Sequence, residues 1–438
     1  MKTQKLFFTL LCSLSVLLSA SAKSEDKTIE DTRTYHKSFE VNADASFLLN
    51  SRESDVNIST WSKNTVDVKV TITVEAFDQE DMEKAFKAFQ VSIKGSPESV
   101  SVQGVNKIKN FTSFGNKMRI RTDDDNFKIK SYHYHYEVML PETNHLDVKN
   151  RFGKVALGHH MGDITLDLYE STVMAQAIEA TNGRITLKFG KGSLGSIRKT
   201  TIESYEGTID MKAVQELNLN VKFSKFSLEK GGDAVITAYE SSLTLPDMKD
   251  VSIEHSFGSI KMGNGNKILL KKQYEQTFEA GNLKELTSAS SKFSKINVSD
   301  VNKISLGEAY ETKIKLNQAD NFTASAKFCT ITLGQLHSNY TLEGYETTTH
   351  IDKVATSFKT INIKGKFSHN TITFSPQAAF RISADMDFSS LNYPEGSITR
   401  NAYEKKGSNG FKMTGTKGAN PSSTITLCGY QMTTNLNL

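Results

Sequence analysis

The chain has 438 residues, with 53 Lys and Arg against 49 Asp and Glu, and a formal charge of +4. A balance this close to neutral is not typical of a dedicated nucleic-acid binder, whose affinity comes largely from a basic face. Three cysteines are too few for a scaffold that is held together by disulfides. The length of the chain exceeds what one compact hydrophobic core usually holds.

The N-terminus has the pattern of a secretory signal peptide over residues 1–22. Lys2 and Lys5 form a basic region, residues 6–18 an apolar core, and residues 20–22 a small-residue cleavage pattern. No later stretch approaches the ~20 apolar residues that a membrane helix needs. We therefore expect an exported protein without a transmembrane segment, located in the periplasm, on the outer-membrane surface or outside the cell.

Residues 23–145 have strand patterns and a single helical pattern. Residues 65–74 alternate apolar and polar side chains and predict one long strand. Met82, Ala85 and Phe86 then follow at helical spacing, so we predict a helix near residues 78–91. An amphipathic helix at this place would cover an open end of the fold and form part of an N-terminal cap.

A repeat of about 35 residues occupies residues 146–392. Tyr-Glu pairs recur with this period, and an interleaved series of Phe residues halves it into coils of roughly 17–18 residues. Such a period is typical of units that bury their apolar faces only by stacking. The predicted fold class is all-β, a single-chain parallel β-helix (β-solenoid), with residues 393–438 as a C-terminal cap. The structural repeat residues are Phe152, Tyr169, Phe189, Tyr205, Phe223, Tyr239, Phe257, Tyr274, Phe293, Tyr310, Phe328, Tyr345 and Phe367.

The order of residues in the repeat leaves two registers open. Alignment of the strands that follow pairs each Phe with a Glu, and the residue before the Phe with a Tyr. Alignment of the aromatic rings instead makes the Glu a one-residue bulge. We expect the second register, with the rings as a column in the core, because alternating Phe and Glu inside a core would be costly.

Charge also alternates along the repeat. Six of the seven residues that precede a repeat Phe are basic, and a Glu follows each repeat Tyr. We expect a structural ladder in which each Glu lies between two basic residues, worth a few tenths of a kcal/mol for each pair. The alternative is a surface for an anionic glycan, which would need one sign of charge throughout.

The candidate chemical sites are sparse. His133 and His135 lie on one face of a predicted strand, at a spacing that can chelate a metal ion, but further ligands would have to converge on them. Cys329 stands where most repeats have Ser or Gly, so we expect a buried thiol. The sequence contains no Gly-x-Ser-x-Gly nucleophile elbow. We expect no catalytic residues, no cofactor and no enzyme activity.

The order of the segments resembles a known family. The signal peptide is followed by a Trp-centred strand at residues 58–68, a short helix, a strand at residues 136–141, and the run 146–155 that leads into the coils. These segments are similar to those of secreted adhesin-type β-solenoids of the Bacteroidota, which carry a GIN-type adhesin head. The resemblance covers nearly all of the mature chain. It implies a single-stranded β-helix, an envelope or surface location and an adhesive role, and it brings no catalytic residues.

We therefore expect a non-enzymatic β-solenoid of the cell envelope or surface that acts as an adhesin or scaffold. One alternative is a carbohydrate-binding or carbohydrate-cleaving β-helix, which would need outward-facing aromatic rings or several carboxylates converging on one sheet. The other alternative is a periplasmic partner in envelope signalling. The sequence leaves the identity of the binding partner open. The candidates are a surface glycan and an envelope protein, and nucleic acid is not expected.

Overall fold

The computed structural model describes residues 27–115 and 117–438. The predicted signal peptide of residues 1–22 lies outside these residues. The described chain is nearly all β-structure, wound into a β-solenoid with coils of roughly 18 residues and one short helix. The predicted fold class is therefore confirmed.

The N-terminal part lays a small antiparallel sheet against the start of the solenoid. The strand β2 already has the form of a coil, because it pairs in parallel with β9 from Ser46 opposite His145 to Ile58 opposite Leu157. On its other side β2 pairs in parallel with β5 and β8. The elements up to this point are β1 (Ile29–Glu40), β2 (Ser46–Trp61), β3 (Thr65–Ala76), α1 (Gln79–Ala88), β4 (Phe89–Ser96), β5 (Ser99–Asn106), β6 (Asn110–Phe114), β7 (Lys117–Arg121), β8 (Asn126–Pro141) and β9 (His145–Leu157).

The helix α1 is the predicted one, although it ends earlier. Asp78 caps its N-terminus by accepting a hydrogen bond from the backbone N–H of Asp81 at 2.8 Å. Met82 and Phe86 are buried against the N-terminal sheet. Phe89, which lies within the predicted helical range 78–91, is extended and stacks on Tyr132 at 4.2 Å between centroids, so tertiary packing ends the helix there. None of the helical structure in the described residues is long and apolar enough to span a membrane.

The repeat region stacks coil upon coil with neighbouring strands in parallel. Side chains alternate between the two faces of each strand, and the inward rows hold aliphatic residues such as Leu219, Ile236 and Ile253, which lie above one another and are buried. The strands are β10 (Ile164–Lys188), β11 (Lys191–Tyr205), β12 (Thr208–Lys222), β13 (Lys225–Lys230), β14 (Asp233–Leu245), β15 (Asp250–Met262), β16 (Gly265–Ala280), β17 (Leu283–Lys292), β18 (Lys295–Tyr310), β19 (Lys313–Lys327), β20 (Thr330–Tyr345), β21 (Thr348–Val354), β22 (Thr360–Lys366) and β23 (His369–Phe374).

The C-terminal strands fill a coil position that the chain first leaves open. Beyond β23 the chain forms the last coil in space, and its final strands return to insert between that coil and the coil of β22 and β23. These final strands belong to the segment 393–438 that we predicted as a C-terminal cap, but they lie between two coils instead of at the end. The hairpin of β26 and β27 pairs with β24. These strands are β24 (Phe380–Asp387), β25 (Ser390–Asn392), β26 (Thr399–Lys406), β27 (Gly410–Lys417), β28 (Ser423–Tyr430) and β29 (Thr433–Asn437).

Candidate functional site: an aromatic ladder along one corner

The repeat residues stand at a two-residue corner that recurs in sixteen described coils. In most coils the two residues are either a basic residue followed by Phe, or Tyr followed by Glu. The second residue always has a left-handed backbone, with φ between 43° and 64°. That conformation costs a residue other than glycine about 1–2 kcal/mol. The large side chains at this position therefore sit on a strained backbone. The second residues are Glu53, Phe152, Glu170, Phe189, Glu206, Phe223, Glu240, Phe257, Glu275, Phe293, Glu311, Phe328, Glu346, Phe367, Phe388 and Gln431.

The register at this corner differs from the one we expected. Lys188 lies opposite Tyr205, and Tyr205 lies opposite Lys222. Glu206 is therefore level with Phe189 and Phe223. The register with Glu as a one-residue bulge is wrong, and the alternative that aligns Phe with Glu is observed. Phe and Glu can alternate because the corner faces solvent, so that no carboxylate enters the core.

The rings still form one continuous column, which we call the aromatic ladder. Tyr rings from the first corner position and Phe rings from the second interleave, and each ring meets the next edge to face. Successive centroids lie 5.3–5.8 Å apart, at interplanar angles of 61–81°. In spatial order the fifteen rings are Phe152, Tyr169, Phe189, Tyr205, Phe223, Tyr239, Phe257, Tyr274, Phe293, Tyr310, Phe328, Tyr345, Phe367, Tyr430 and Phe388.

The aromatic ladder lies on the surface, so the expectation that these rings fill the core is wrong. Ten of the rings keep 37–57% of their accessible area, and the other five are half-buried. At a strand spacing of ~4.8 Å, fifteen rings span roughly 67 Å along the solenoid. One end is covered by the Arg52 guanidinium, 5.1 Å from the centroid of Phe152, while Phe388 is the most exposed ring at the other end.

The charges beside the aromatic ladder do not form the expected ladder of ion pairs. Among the described residues, no corner lysine such as Lys188, Lys222 or Lys366 is at ion-pair distance from a corner Glu. The register explains this, because each basic residue stands opposite a Tyr and each Glu opposite a Phe. The ion pairs that form between coils involve other carboxylates, as between the corner residue Lys292 and Glu308 at 3.4 Å and, away from the corner, between Lys199 and Glu216 at 3.1 Å. Between residues 151 and 366 the corners carry six basic residues and six Glu, so their charges balance.

The Tyr-Glu corners join a phenol to a carboxylate. Hydrogen bonding to the Glu275 carboxylate raises the pKa of Tyr274. For Tyr239 and Tyr310, partial burial and then the carboxylate that follows each of them raise the pKa. These three phenols therefore lose their proton less readily than a free tyrosine does. They place polar groups next to the exposed rings.

A column of small polar residues lies inside the corner, beneath the aromatic ladder. Ser224 Oγ donates to the carbonyl of Lys222 at 2.7 Å and accepts from the backbone N–H of Gly207 in the neighbouring coil at 3.1 Å. Cys329 holds the same position and donates from Sγ to the carbonyl of Lys327 at 3.2 Å. The expected buried thiol is confirmed, and burial raises its pKa. Two sequence signals mark this column: the small residue after each repeat Phe, and the Ser or Thr that follows most Tyr-Glu pairs, such as Ser241 and Thr312.

The two histidines considered as metal ligands lie on β8, near the first corner of the solenoid. His133 Nε2 is 3.5 Å from the Asp55 carboxylate, and His135 is half-buried opposite Thr71. In residues 27–115 and 117–438, no three His, Cys, Asp or Glu side chains are grouped so that they could hold a metal ion.

No family model and no curated protein matches this sequence, so the resemblance to adhesins with a GIN-type head stays a prediction. Among solved structures, the chain is similar to a "putative cell adhesion protein" from Clostridium sporogenes. The identity is 9%, the match covers 93% of this chain and 99% of that chain, and the TM-score is 0.14. At this identity and TM-score the likeness carries no argument about function.

Proposed function

We propose that the chain is a non-enzymatic adhesin or scaffold of the cell envelope or surface, and that the aromatic ladder is its contact surface. The observation that supports this proposal is the line of fifteen rings, most of them markedly exposed, along one corner. Contiguous apolar surface of this kind marks interaction sites in soluble proteins. A repeating contact surface also suits adhesion, because many weak identical contacts to one polymer or surface add up to strong attachment.

The location is part of the proposal. The basic and apolar segments of residues 1–22 support export, and the order of segments that resembles the Bacteroidota adhesins supports the cell surface. Protease treatment of intact cells tests this directly. We expect the chain to be digested before the outer membrane is opened. A chain that stays intact until the membrane is permeabilised would place the protein in the periplasm and contradict an adhesin.

Attachment itself is tested with cells that produce the chain, cells that lack it, and cells that produce a variant with Tyr239, Tyr274 and Tyr310 all changed to Leu. We expect the first group to attach to a surface better than the other two. If the variant attaches as well as the unchanged chain, the aromatic ladder is not the contact surface.

Carbohydrate binding is the second candidate function, and one observation favours it. That alternative required aromatic rings that face outward, and the structure places the repeat rings at a solvent-facing corner. Binding a surface glycan and acting as an adhesin are compatible roles of the same surface.

A further inference from the structure

We propose that the aromatic ladder binds an extended, uncharged β-1,4-linked glycan, with one disaccharide of the polymer on every two coils. The inference rests on the proposed adhesive function and names the class of ligand that the same surface would hold.

The first argument is the spacing of equivalent rings. Tyr205, Tyr239 and Tyr274 stand on alternate coils, so equivalent rings recur at roughly 9.6 Å, twice the strand spacing. An extended β-1,4-linked pyranose chain also repeats at every second sugar, because successive sugars face opposite ways. The length of its disaccharide is close to two coil spacings. A polymer laid along the aromatic ladder therefore stays in step with the tyrosines over several repeats. An α-1,4-linked glucan coils and loses this match.

The second argument is the chemistry of the exposed groups. A pyranose with equatorial hydroxyls presents C–H groups on its two faces and hydroxyls around its rim. The exposed rings provide apolar, electron-rich surface for the C–H groups. Beside the rings, the phenols, the corner Lys ammonium groups and the Glu carboxylates provide donors and acceptors for the hydroxyls. Aromatic surface with a few fixed polar groups is the usual composition of a ligand site.

The third argument is charge. The corner carries equal numbers of basic and acidic residues in alternating coils, from Arg151 to Lys366. A polyanion such as a polyuronate would meet a carboxylate at every second coil, so its attraction to the lysines would be offset. A neutral polymer meets no such conflict, which favours it over a charged one.

The repetition also predicts how affinity depends on length. Each disaccharide would engage one Tyr and one Phe with a weak interaction, and each further disaccharide would add another such contact without new association entropy. Affinity should therefore rise steeply with the number of sugars. A pocket for a single sugar would give no such rise.

The test uses the mature chain and β-1,4-linked N-acetylglucosamine oligomers of two, four and six sugars, with binding measured by calorimetry. We expect the hexamer to bind at least ~10-fold more tightly than the dimer. The variant with Tyr239→Leu, Tyr274→Leu and Tyr310→Leu should lose at least ~10-fold in affinity for the hexamer. A matched control carries Val235→Thr and Leu269→Thr. These two exposed apolar residues lie two coils apart on β14 and β16, four and five residues before Tyr239 and Tyr274 and so at least ~13 Å along the strand from the ladder, and their replacement should leave affinity unchanged. Far-UV circular dichroism and urea midpoints confirm that both variants are folded.

Four outcomes would overturn the inference. They are absence of hexamer binding, equal losses in the two variants, equal binding of an α-1,4-linked glucose hexamer, and stronger, salt-sensitive binding of a galacturonate hexamer. The attachment assay separates this inference from the proposed function. If the triple Tyr variant stops attaching while no oligomer binds, the adhesive function stands with a different ligand. If the hexamer binds while cells that lack the chain attach as well as cells that produce it, the glycan inference stands and the adhesive function fails.

Discussion

Removing two neighbouring rings of the aromatic ladder should cost less than the sum of the two single removals, because the rings contact each other. Tyr239 meets Phe223 at 5.6 Å between centroids and Phe257 at 5.4 Å, both edge to face. Such a pair contributes about 0.5–1.5 kcal/mol beyond the area it buries. Tyr239→Ala should therefore lose about 1–3 kcal/mol from its two ring contacts, in addition to the part of its side chain that the neighbours cover.

The coupling is measured with a double-mutant cycle on Phe223→Ala and Tyr239→Ala, using urea unfolding followed by far-UV circular dichroism. We expect a coupling free energy of about 0.5–1.5 kcal/mol. Phe189 and Tyr239 provide the matched control, because two rings separate them and their coupling should be below ~0.3 kcal/mol. A neighbour coupling no larger than that of the separated pair would show that the exposed rings do not stabilise one another.

Three further predictions concern the interior. Burial, and then the neighbouring His159, lower the pKa of His160 from 6.5 to about 4, so the unfolded chain binds a proton more readily than the folded chain. The stabilisation that comes from keeping His160 neutral is fully present above pH 6.5. It is lost as the pH falls toward 4, and the free energy of unfolding then decreases by about 3 kcal/mol. His160→Gln should therefore flatten the decrease of the urea midpoint between pH 7 and pH 4.5, and an unchanged slope would refute this. Gly190→Ala should destabilise the protein far more than Gly207→Ala in thermal unfolding. A Cβ at residue 190 would lie 2.2 Å from the backbone carbonyl oxygen of Ser171, whereas a Cβ at residue 207 would lie 2.3 Å from the side-chain oxygen of Ser204. Equal losses would contradict this. Ser224→Ala should cost about 1–3 kcal/mol by leaving the Gly207 N–H unpaired, with Ser224→Cys costing less in the same urea assay, as Cys329 occupies the equivalent position. Equal costs would show that the hydrogen bond is not the cause.

The sequence was sufficient for the fold, because the spacing of Tyr239, Phe257 and Tyr274 directly reports the length of a coil. It was not sufficient for the direction of these side chains. An aromatic residue in a β-solenoid is normally assigned to the core, and only the positive φ of Phe and Glu turns the corner outward. No local sequence pattern signals that conformation, since Gly or Asn would be its usual markers. The insertion of β28 between two coils could not be predicted either, because it depends on pairing between strands more than sixty residues apart.

The contacts between individual side chains at the candidate site could not be predicted from the sequence either. The sequence predicted alternating charge and a column of rings, and both are present along the corner. The register decides which groups meet, and with Lys188 opposite Tyr205 the basic residue contacts neither of its expected Glu partners. A shift of one residue in a corner is invisible to a search for periodicity, since it changes neither the period nor the composition.

The alternation of Lys-Phe and Tyr-Glu corners has a physical reason, which leads to a last prediction. If every corner were Lys-Phe, lysines would stack at ~4.8 Å along the solenoid, and like charges directly opposite each other destabilise strand pairs. Changing Tyr205→Lys with Glu206→Phe creates this situation, because Lys188 and Lys222 flank that corner. The same change at Tyr239 and Glu240 is a natural control, since one of its two neighbours is Ser256. At low salt the first double variant should be less stable than the second by about 0.2–1 kcal/mol in urea unfolding. At 1 M salt the difference should vanish, because the Debye length falls to about 3 Å. A difference that persists at high salt would assign the alternation to ring packing alone.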